Sequence, residues 1–256
     1  MTSPHWPLAG LRLYTPRLEL RWPTLTDLDE LATLAVAGVH DPQVQPFSAA
    51  WTDTPADELP GRSLQYYWAR WAAWRPGDWS LDLMVVHNGT IVGMQGLKAT
   101  DFAVVREVHT GSWLGLRHQG QGIGAEMRAA VLSLAFDDLG AETARSDAHS
   151  DNAASIGVSR KLGYADDGTE RFVVRGQAIT RAAAPDRPRG LAGPPAAARA
   201  RLRAGTVPAL VRPGSLTGRP GLPRRLRPTV TRPPAVSRGA AAPPIALRRR
   251  SGQPVG

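Results

Sequence analysis

Thr110–Ala125, TGSWLGLRHQGQGIGA, reads as an extended segment that stops, turns through glycines at alternate positions (Gly120, Gly122, Gly124) and at once becomes the apolar-periodic helix MRAAVLSLAF. A strand running straight into a helix N-terminus brings unpaired backbone N–H groups and the positive end of the helix dipole to one spot. Such a spot suits a phosphate. Gly120, Gly122 and Ala125 also satisfy GxGxxA, the dinucleotide fingerprint, but that fingerprint follows the first strand of a parallel sheet, whereas a hairpin-like stretch precedes it here. A P-loop is excluded, because no Gly-Lys-Ser/Thr follows.

Outward from this stretch the chain reads as α+β. Leu11–Trp22 alternates Leu18, Leu20 and Trp22 against Arg17, Glu19 and Arg21, a half-buried strand. Thr24 supplies N-cap chemistry for a helix through Leu28, Leu31, Leu34 and Val36 that stops at Gly38. Gly38–Thr52 is rich in Pro and turn formers and is a loop. Loops on a rigid scaffold carry specificity, so His40, Asp41, Phe47 and Trp51 are acceptor-site candidates, beside the plainer reading of a capping Asp with buried aromatics. Asp57–Trp74 spaces Leu64, Tyr67, Trp68, Trp71 and Trp74 along one helical face, a core or dimer contact. Ser80–Val86 and Thr90–Leu97 flank His87-Asn88-Gly89, a hairpin signal. Glu107–Leu116 is the strand that feeds the glycine turn, and the helix after it runs from about Gly124 to Asp138 and ends near Gly140. Thr143–Ala148, Asn152–Leu162 and Ala165–Val174 then read as strand, helix, strand. The expected architecture is a mixed central sheet flanked by helices.

Gln119–Gly124, QGQGIG, fits Q/R-x-x-G-x-G/A, and Asn152–Tyr164, NAASIGVSRKLGY, fits N-x-x-S followed by K-L-G-F/Y, about 30 residues further on. With both motifs in this order, the chain resembles the GNAT (GCN5-related) N-acyltransferase superfamily, in its ribosomal-protein-alanine acetyltransferase-like branch. HWPLAGLRLYTPRLEL, GVHDPQVQPFSAAWT, DWSL and EMRAAVLSLAF extend the likeness over roughly residues 5 to 177, and together they resemble a mycobacterial group described as using succinyl-CoA. The resemblance implies the GNAT fold, acetyl-CoA or succinyl-CoA as co-substrate and no metal. It also implies acyl transfer to an amine, of a small molecule or a protein, by direct attack.

Residue by residue, the resemblance implies that the diphosphate meets the backbone of Gln121, Gly122, Ile123, Gly124 and Ala125, with Gln119 and Gly120 shaping the turn. Leu114 and Leu116 lend main-chain groups to the pantetheine and acyl carbonyl, with the Leu116 N–H as an oxyanion donor. Asn152 bonds the pantetheine arm or caps its helix. Ser159 stands where many relatives carry a tyrosine that protonates the leaving thiolate, and Ser155 resembles the serine given this role in ribosomal-protein-type relatives, so the resemblance implies Ser155 as the preferred catalytic acid. Thr110 stands where some relatives carry a catalytic glutamate, so the base is open among Glu107, Asp41 and His40 (each with a structural reading beside it), a water chain, and an amine that arrives already neutral. His40, Asp41 and Trp51 are the expected acceptor contacts.

Composition divides the chain unevenly. Residues 1–180 carry 15 Lys and Arg against 21 Asp and Glu, net −6, whereas residues 181–256 carry 16 Arg against Asp186 alone, net +15, so the formal charge of +9 arises from the tail. All Trp, Tyr and Phe precede position 173, and 14 of the 23 prolines follow position 180. Such a tail buries too little apolar surface to offset its ordering entropy. The expected division is a catalytic domain at 1–177, its last strand missing or altered, and a basic disordered tail at 178–256. A frameshift after about Thr180 is one origin for the tail, and resequencing that finds an intact frame rejects it. The absence of cysteine removes disulfides, thiolate metal sites and a Cys nucleophile. No apolar run long enough to span a membrane is present, so a cytoplasmic protein is expected, with a homo-oligomer open and no membrane or nucleic-acid partner. The competing reading is a noncatalytic acyl-CoA-binding or interaction protein with a degenerate C-terminus.

Overall fold

The computed structural model of the 256-residue chain describes residues 4–165, 168–184 and 201–202. Among the described residues one sheet runs β7-β8-β6-β5-β4-β3-β2-β1-β9. Its strands are β1 (Arg12–Tyr14), β2 (Leu18–Arg21), β3 (Asp78–His87), β4 (Thr90–Thr100), β5 (Glu107–Leu114), β6 (Thr143–His149), β7 (Thr169–Val174), β8 (Gln177–Ala184) and β9 (Arg201–Leu202). The helices are α1 (Leu25–Val36), α2 (Leu59–Ala73), the single turn α3 (Phe102–Val105), α4 (Ile123–Ser133) and α5 (Ala153–Lys161). Every neighbouring pair is antiparallel except β5 with β6. A parallel pair needs a crossover, and α4 supplies it. This is the mixed sheet flanked by helices that the sequence implied.

Local chemistry accounts for the elements. Thr24 Oγ1 accepts from the Asp27 N–H at 3.1 Å while Asp27 Oδ2 accepts from the Thr24 N–H at 2.9 Å, a reciprocal cap that starts α1. Asn88 and Gly89, at φ +50° and +77°, turn β3 into β4, the backbone twist that a two-residue hairpin requires. Burial covers both faces of β3. Leu81, Leu83 and Val85 join the core under α4, while Met84 and Val86 join the core under α1 and α2. That two-sided burial is why Leu83–Val86 is a continuous apolar run. Asp82, 3 % exposed, accepts from Arg70 Nε at 2.6 Å and so ties α2 to the sheet.

Four expectations change. The helix expected from Gly124 to Asp138 is α4 followed by one wide turn, Leu134–Leu139, closed by left-handed Gly140. Trp68, expected on the apolar face of α2, is 46 % exposed whereas Tyr67 and Trp74 are buried. At 100° per residue it stands at the margin of the face that Tyr67, Trp71 and Trp74 define. The strand expected to end at Leu116 ends at Leu114. Finally, residues expected to belong to the tail form a strand: β8 pairs with β7 and with β6, so the boundary expected at 177 coincides with the start of a strand inside the sheet. Beyond Ala184, and apart from β9, the tail expected to be disordered lies outside the described residues. Among the described residues no helix is long and apolar enough to cross a membrane.

Candidate active site

β5 and β6 pair only over Glu107–Thr110 and Thr143–Ser146. From Ser146 onward β6 pairs on its other side with β8, while β5 continues to Leu114 in register with β4. The two strands therefore part beyond Thr110. The gap between Gly111–Leu114 and Asp147–His149 opens into a cleft of ≈ 930 Å³. The Gly115 N–H donates to Val92 O at 3.0 Å, and this sets the phase of the ladder. The N–H groups of alternate residues back to His109 face β4, and those of Ser112 and Leu114 face the gap.

At the open end of the gap stands the glycine turn. Gly120 and Gly122 have φ of +73° and +78°, a region in which a Cβ is strained. Gly122 is the N-cap of α4 and no side chain caps it, so the N–H groups of Ile123, Gly124 and Ala125 have no intrahelical acceptor. Gln119 holds the turn in place: its Nε2 donates to Val39 O at 2.7 Å and to Leu114 O at 2.9 Å. From outside the cleft Glu126 accepts from Thr15 Oγ1 at 2.6 Å and from Arg17 Nε at 2.7 Å, and Arg17 Nη1 reaches Gln121 O at 3.1 Å.

Burial alone raises the Glu126 carboxyl, but the bonds from Thr15 and Arg17 outweigh it and hold it below the ordinary glutamate value of 4.5. A depressed folded pKa contributes stability above the unfolded value that is lost as pH falls through the folded one. Denaturation curves of the wild type and Glu126→Gln should accordingly differ above pH 4.5 and converge as the pH drops below it. A constant difference down the acid limb would refute the assignment.

The structure brings Leu114, Leu116, Gln119, Gly120, Gly122, Gly124, Ala125, Asn152, Ser155, His40 and Asp41 to the cleft wall. Asn152 Oδ1 accepts from the Ser155 N–H at 3.0 Å, the capping geometry. Ile123 contributes main chain alone, since its side chain is fully buried in the core. Gln121 Nε2 turns away to Arg117 O at 3.0 Å. Trp51 lines not this cleft but a second cavity of ≈ 350 Å³, which meets the first at Phe47, Ser112 and Trp113.

Two expectations are corrected. The Leu116 N–H, expected as an oxyanion donor, already donates to Gly38 O at 3.0 Å, because the chain leaves β5 at Gly115 and packs against the end of α1. The Leu114 N–H faces the gap instead. His40 is no free base: Nδ1 lies 2.8 Å from Asp41 O and Nε2 2.8 Å from Thr52 Oγ1. A carbonyl only accepts, so Nδ1 carries the proton and Nε2 accepts from the hydroxyl. Asp41 Oδ1 caps its own turn through the Gln43 N–H at 2.9 Å.

Sequence reasoning missed three residues. His149 lines the cleft, 2 % exposed, with Nε2 lacking a partner among the described residues and its ring 5.1 Å from that of Phe172. His109 Nε2 lies 3.2 Å from Glu107 Oε1, while Arg145 Nε donates to Glu107 Oε2 at 2.9 Å. Arg128, 4 % exposed, donates from Nη1 to Ser159 Oγ at 2.9 Å. A single Arg inside the apolar run of α4 was the one available signal.

A family profile described as an acetyltransferase (GNAT) domain matches residues 17–165. Among solved structures, a ribosomal L7/L12 alpha-N-protein acetyltransferase in complex with coenzyme A superposes with a TM-score of 0.54 at 17 % identity, over 66 % of this chain and 94 % of that one. The microcin C7 self-immunity acetyltransferase, solved with acetyl-CoA and AMP, gives 0.53 at 16 %, over 68 % and 93 %. A GCN5-related N-acetyltransferase from Brucella melitensis gives 0.52 at 17 %, over 69 % and 78 %. At these identities the likeness concerns the fold.

Proposed function

Because the chain belongs to the GNAT acetyltransferase family, we propose that it is an acyl-CoA-dependent N-acyltransferase of the cytoplasm, with acetyl-CoA or succinyl-CoA as donor and a small-molecule or protein amine as acceptor. One observation carries the reading: strands β5 and β6 part directly below the unpaired N–H groups of α4. An anion fits there by dipole and by hydrogen bonding, and an extended pantetheine arm fits a gap edged by strand main chain.

The thioester brings the activated acyl group. The chain's part is positioning, charge stabilisation and proton movement. The N–H groups of Ile123, Gly124 and Ala125 hold the diphosphate, with the main chain of Gly122 beside them. The Leu114 N–H donates to the acyl carbonyl oxygen. Asn152 and Ser155, at the start of α5, meet the arm and the sulfur, and Ser155 Oγ gives its proton to the departing thiolate. We assign the base to His109, two residues before Gly111 on the same face of β5, with Glu107 at its Nε2. The acceptor enters past His40 and Asp41, with Trp51 and Trp113 offering an apolar surface beside them.

Calorimetry with coenzyme A, followed by thiol release on mixing an acyl-CoA with a panel of amines, tests the reading. No heat with any CoA ester ends it, and binding without thiol release across the panel favours a noncatalytic acyl-CoA-binding protein. Ser155→Ala is expected to lower kcat about 100-fold while coenzyme A binding stays within about threefold. A kcat unchanged in that variant removes Ser155 from the mechanism.

A further inference from the structure

Among the described residues Arg128 is a charge without a counter-charge. It faces α5 from α4 and lines the cleft, with Nη1 on Ser159 Oγ. Among the described residues its Nε is buried with no hydrogen-bond partner, and the ion pairs formed there do not include it. Burial pushes the guanidinium below the usual arginine value. A cation held out of water without an anion is unfavourable, and it is tolerated where a ligand brings the anion.

Its position narrows which anion that is. Tyr164, which stands near enough to Arg128 to act on it electrostatically, has its Oη 3.3 Å from Thr110 Oγ1. Thr110 is the last β5 residue that pairs with β6. The guanidinium therefore stands toward the closed end of the gap, four residues beyond Gly124 along α4 and so about 6 Å deeper than the glycine turn. A diphosphate on that turn is at the open end, and the acyl end of the same molecule reaches the closed end. An acetyl group brings no charge there. A short acyl chain ending in a carboxylate does, and a guanidinium is the donor that matches a carboxylate with two parallel N–H bonds.

We propose that Arg128 selects the donor, receiving the terminal carboxylate of a short dicarboxylic acyl group, so that malonyl-, succinyl- or glutaryl-CoA is used in preference to acetyl-CoA. The proposal rests on the acyl-CoA reading above. Ser159 is then a positioning residue, whose hydroxyl orients the guanidinium.

Calorimetry on the full chain tests it without amine or turnover, so that no thiolate forms. The ligands are coenzyme A, acetyl-CoA, malonyl-CoA, succinyl-CoA and glutaryl-CoA, and the proteins are the wild type and Arg128→Met, each checked by melting curve. At least one carboxylated ester is expected to bind the wild type about 30-fold more tightly than acetyl-CoA. In Arg128→Met that preference should shrink to within about threefold, while coenzyme A itself binds as before. Equal binding of acetyl-CoA and all three carboxylated esters by the wild type overturns the proposal, and does so even if the variant fails to fold. An unchanged preference in a folded Arg128→Met overturns it as well. If coenzyme A does not bind the wild type at all, the acyl-CoA reading falls, a result distinct from binding without preference.

Discussion

Gly122→Asp is expected to bind coenzyme A about a thousand times more weakly than the wild type while melting at nearly the same temperature. Residue 122 is the N-cap of α4 at φ +78°. Aspartate tolerates left-handed backbone better than most residues, at a cost of about 1–2 kcal/mol. It is also a favoured N-cap, whose carboxylate takes the N–H groups of the first helical turn. The new side chain would offset its own strain by capping the helix and would thereby occupy, with negative charge, the donors that the diphosphate needs. A thousandfold loss corresponds to about 4 kcal/mol. Calorimetry with coenzyme A and a melting curve decide the matter together. Affinity within about threefold of wild type would mean that the turn holds no phosphate, and the functional reading would go with it.

Gly93→Ala is expected to cost roughly 4 kcal/mol of folding stability, more than any other methyl-sized change proposed for this chain. A Cβ at residue 93 would lie 2.2 Å from Trp113 O and 2.9 Å from Leu114 Cα. Both are main-chain atoms, so no side-chain rotation relieves the clash. Gly93 faces Leu114 at a position in the ladder where no hydrogen bonds pass between the pair, the spacing at which antiparallel strands approach most closely. The methyl must push β5 away from β4, and β5 is the wall of the cleft that carries Ser112 and Leu114. Urea denaturation measures the stability, and a loss under about 1 kcal/mol would contradict the close approach. Coenzyme A titration of the folded fraction should also show weakened binding, because the Leu114 N–H moves with its strand.

Most of the fold was legible because its signals are short. The cap at Thr24, the Asn88-Gly89 turn and the step from strand through Gly122 into α4 each depend on residues within a few positions of one another. Misreadings arose where a distant partner decides. Trp68 satisfies helical spacing yet lies at the edge of the face that packs. Leu116 continues the apolar pattern of β5 yet belongs to the next turn, since Gly38 O takes its N–H. The residues after Gln177 look too poor in composition for a strand, yet main-chain pairing with β6 and β7 forms one, because ladder hydrogen bonds do not require particular side chains.

At the site the same division holds. By itself the sequence determined that a glycine-rich turn delivers bare N–H groups at a helix start, that Asn152 caps the following helix and that charge is concentrated in the tail, since these follow from local geometry and composition. Only the tertiary structure decided which strand N–H faces the gap, that His40 is engaged at both nitrogens, and that Arg128 stands at the closed end with Ser159 as its hydrogen-bond partner. Strand register, hydrogen-bond partners and burial are set by residues tens of positions apart, and the spacing of residues along the chain does not carry that information.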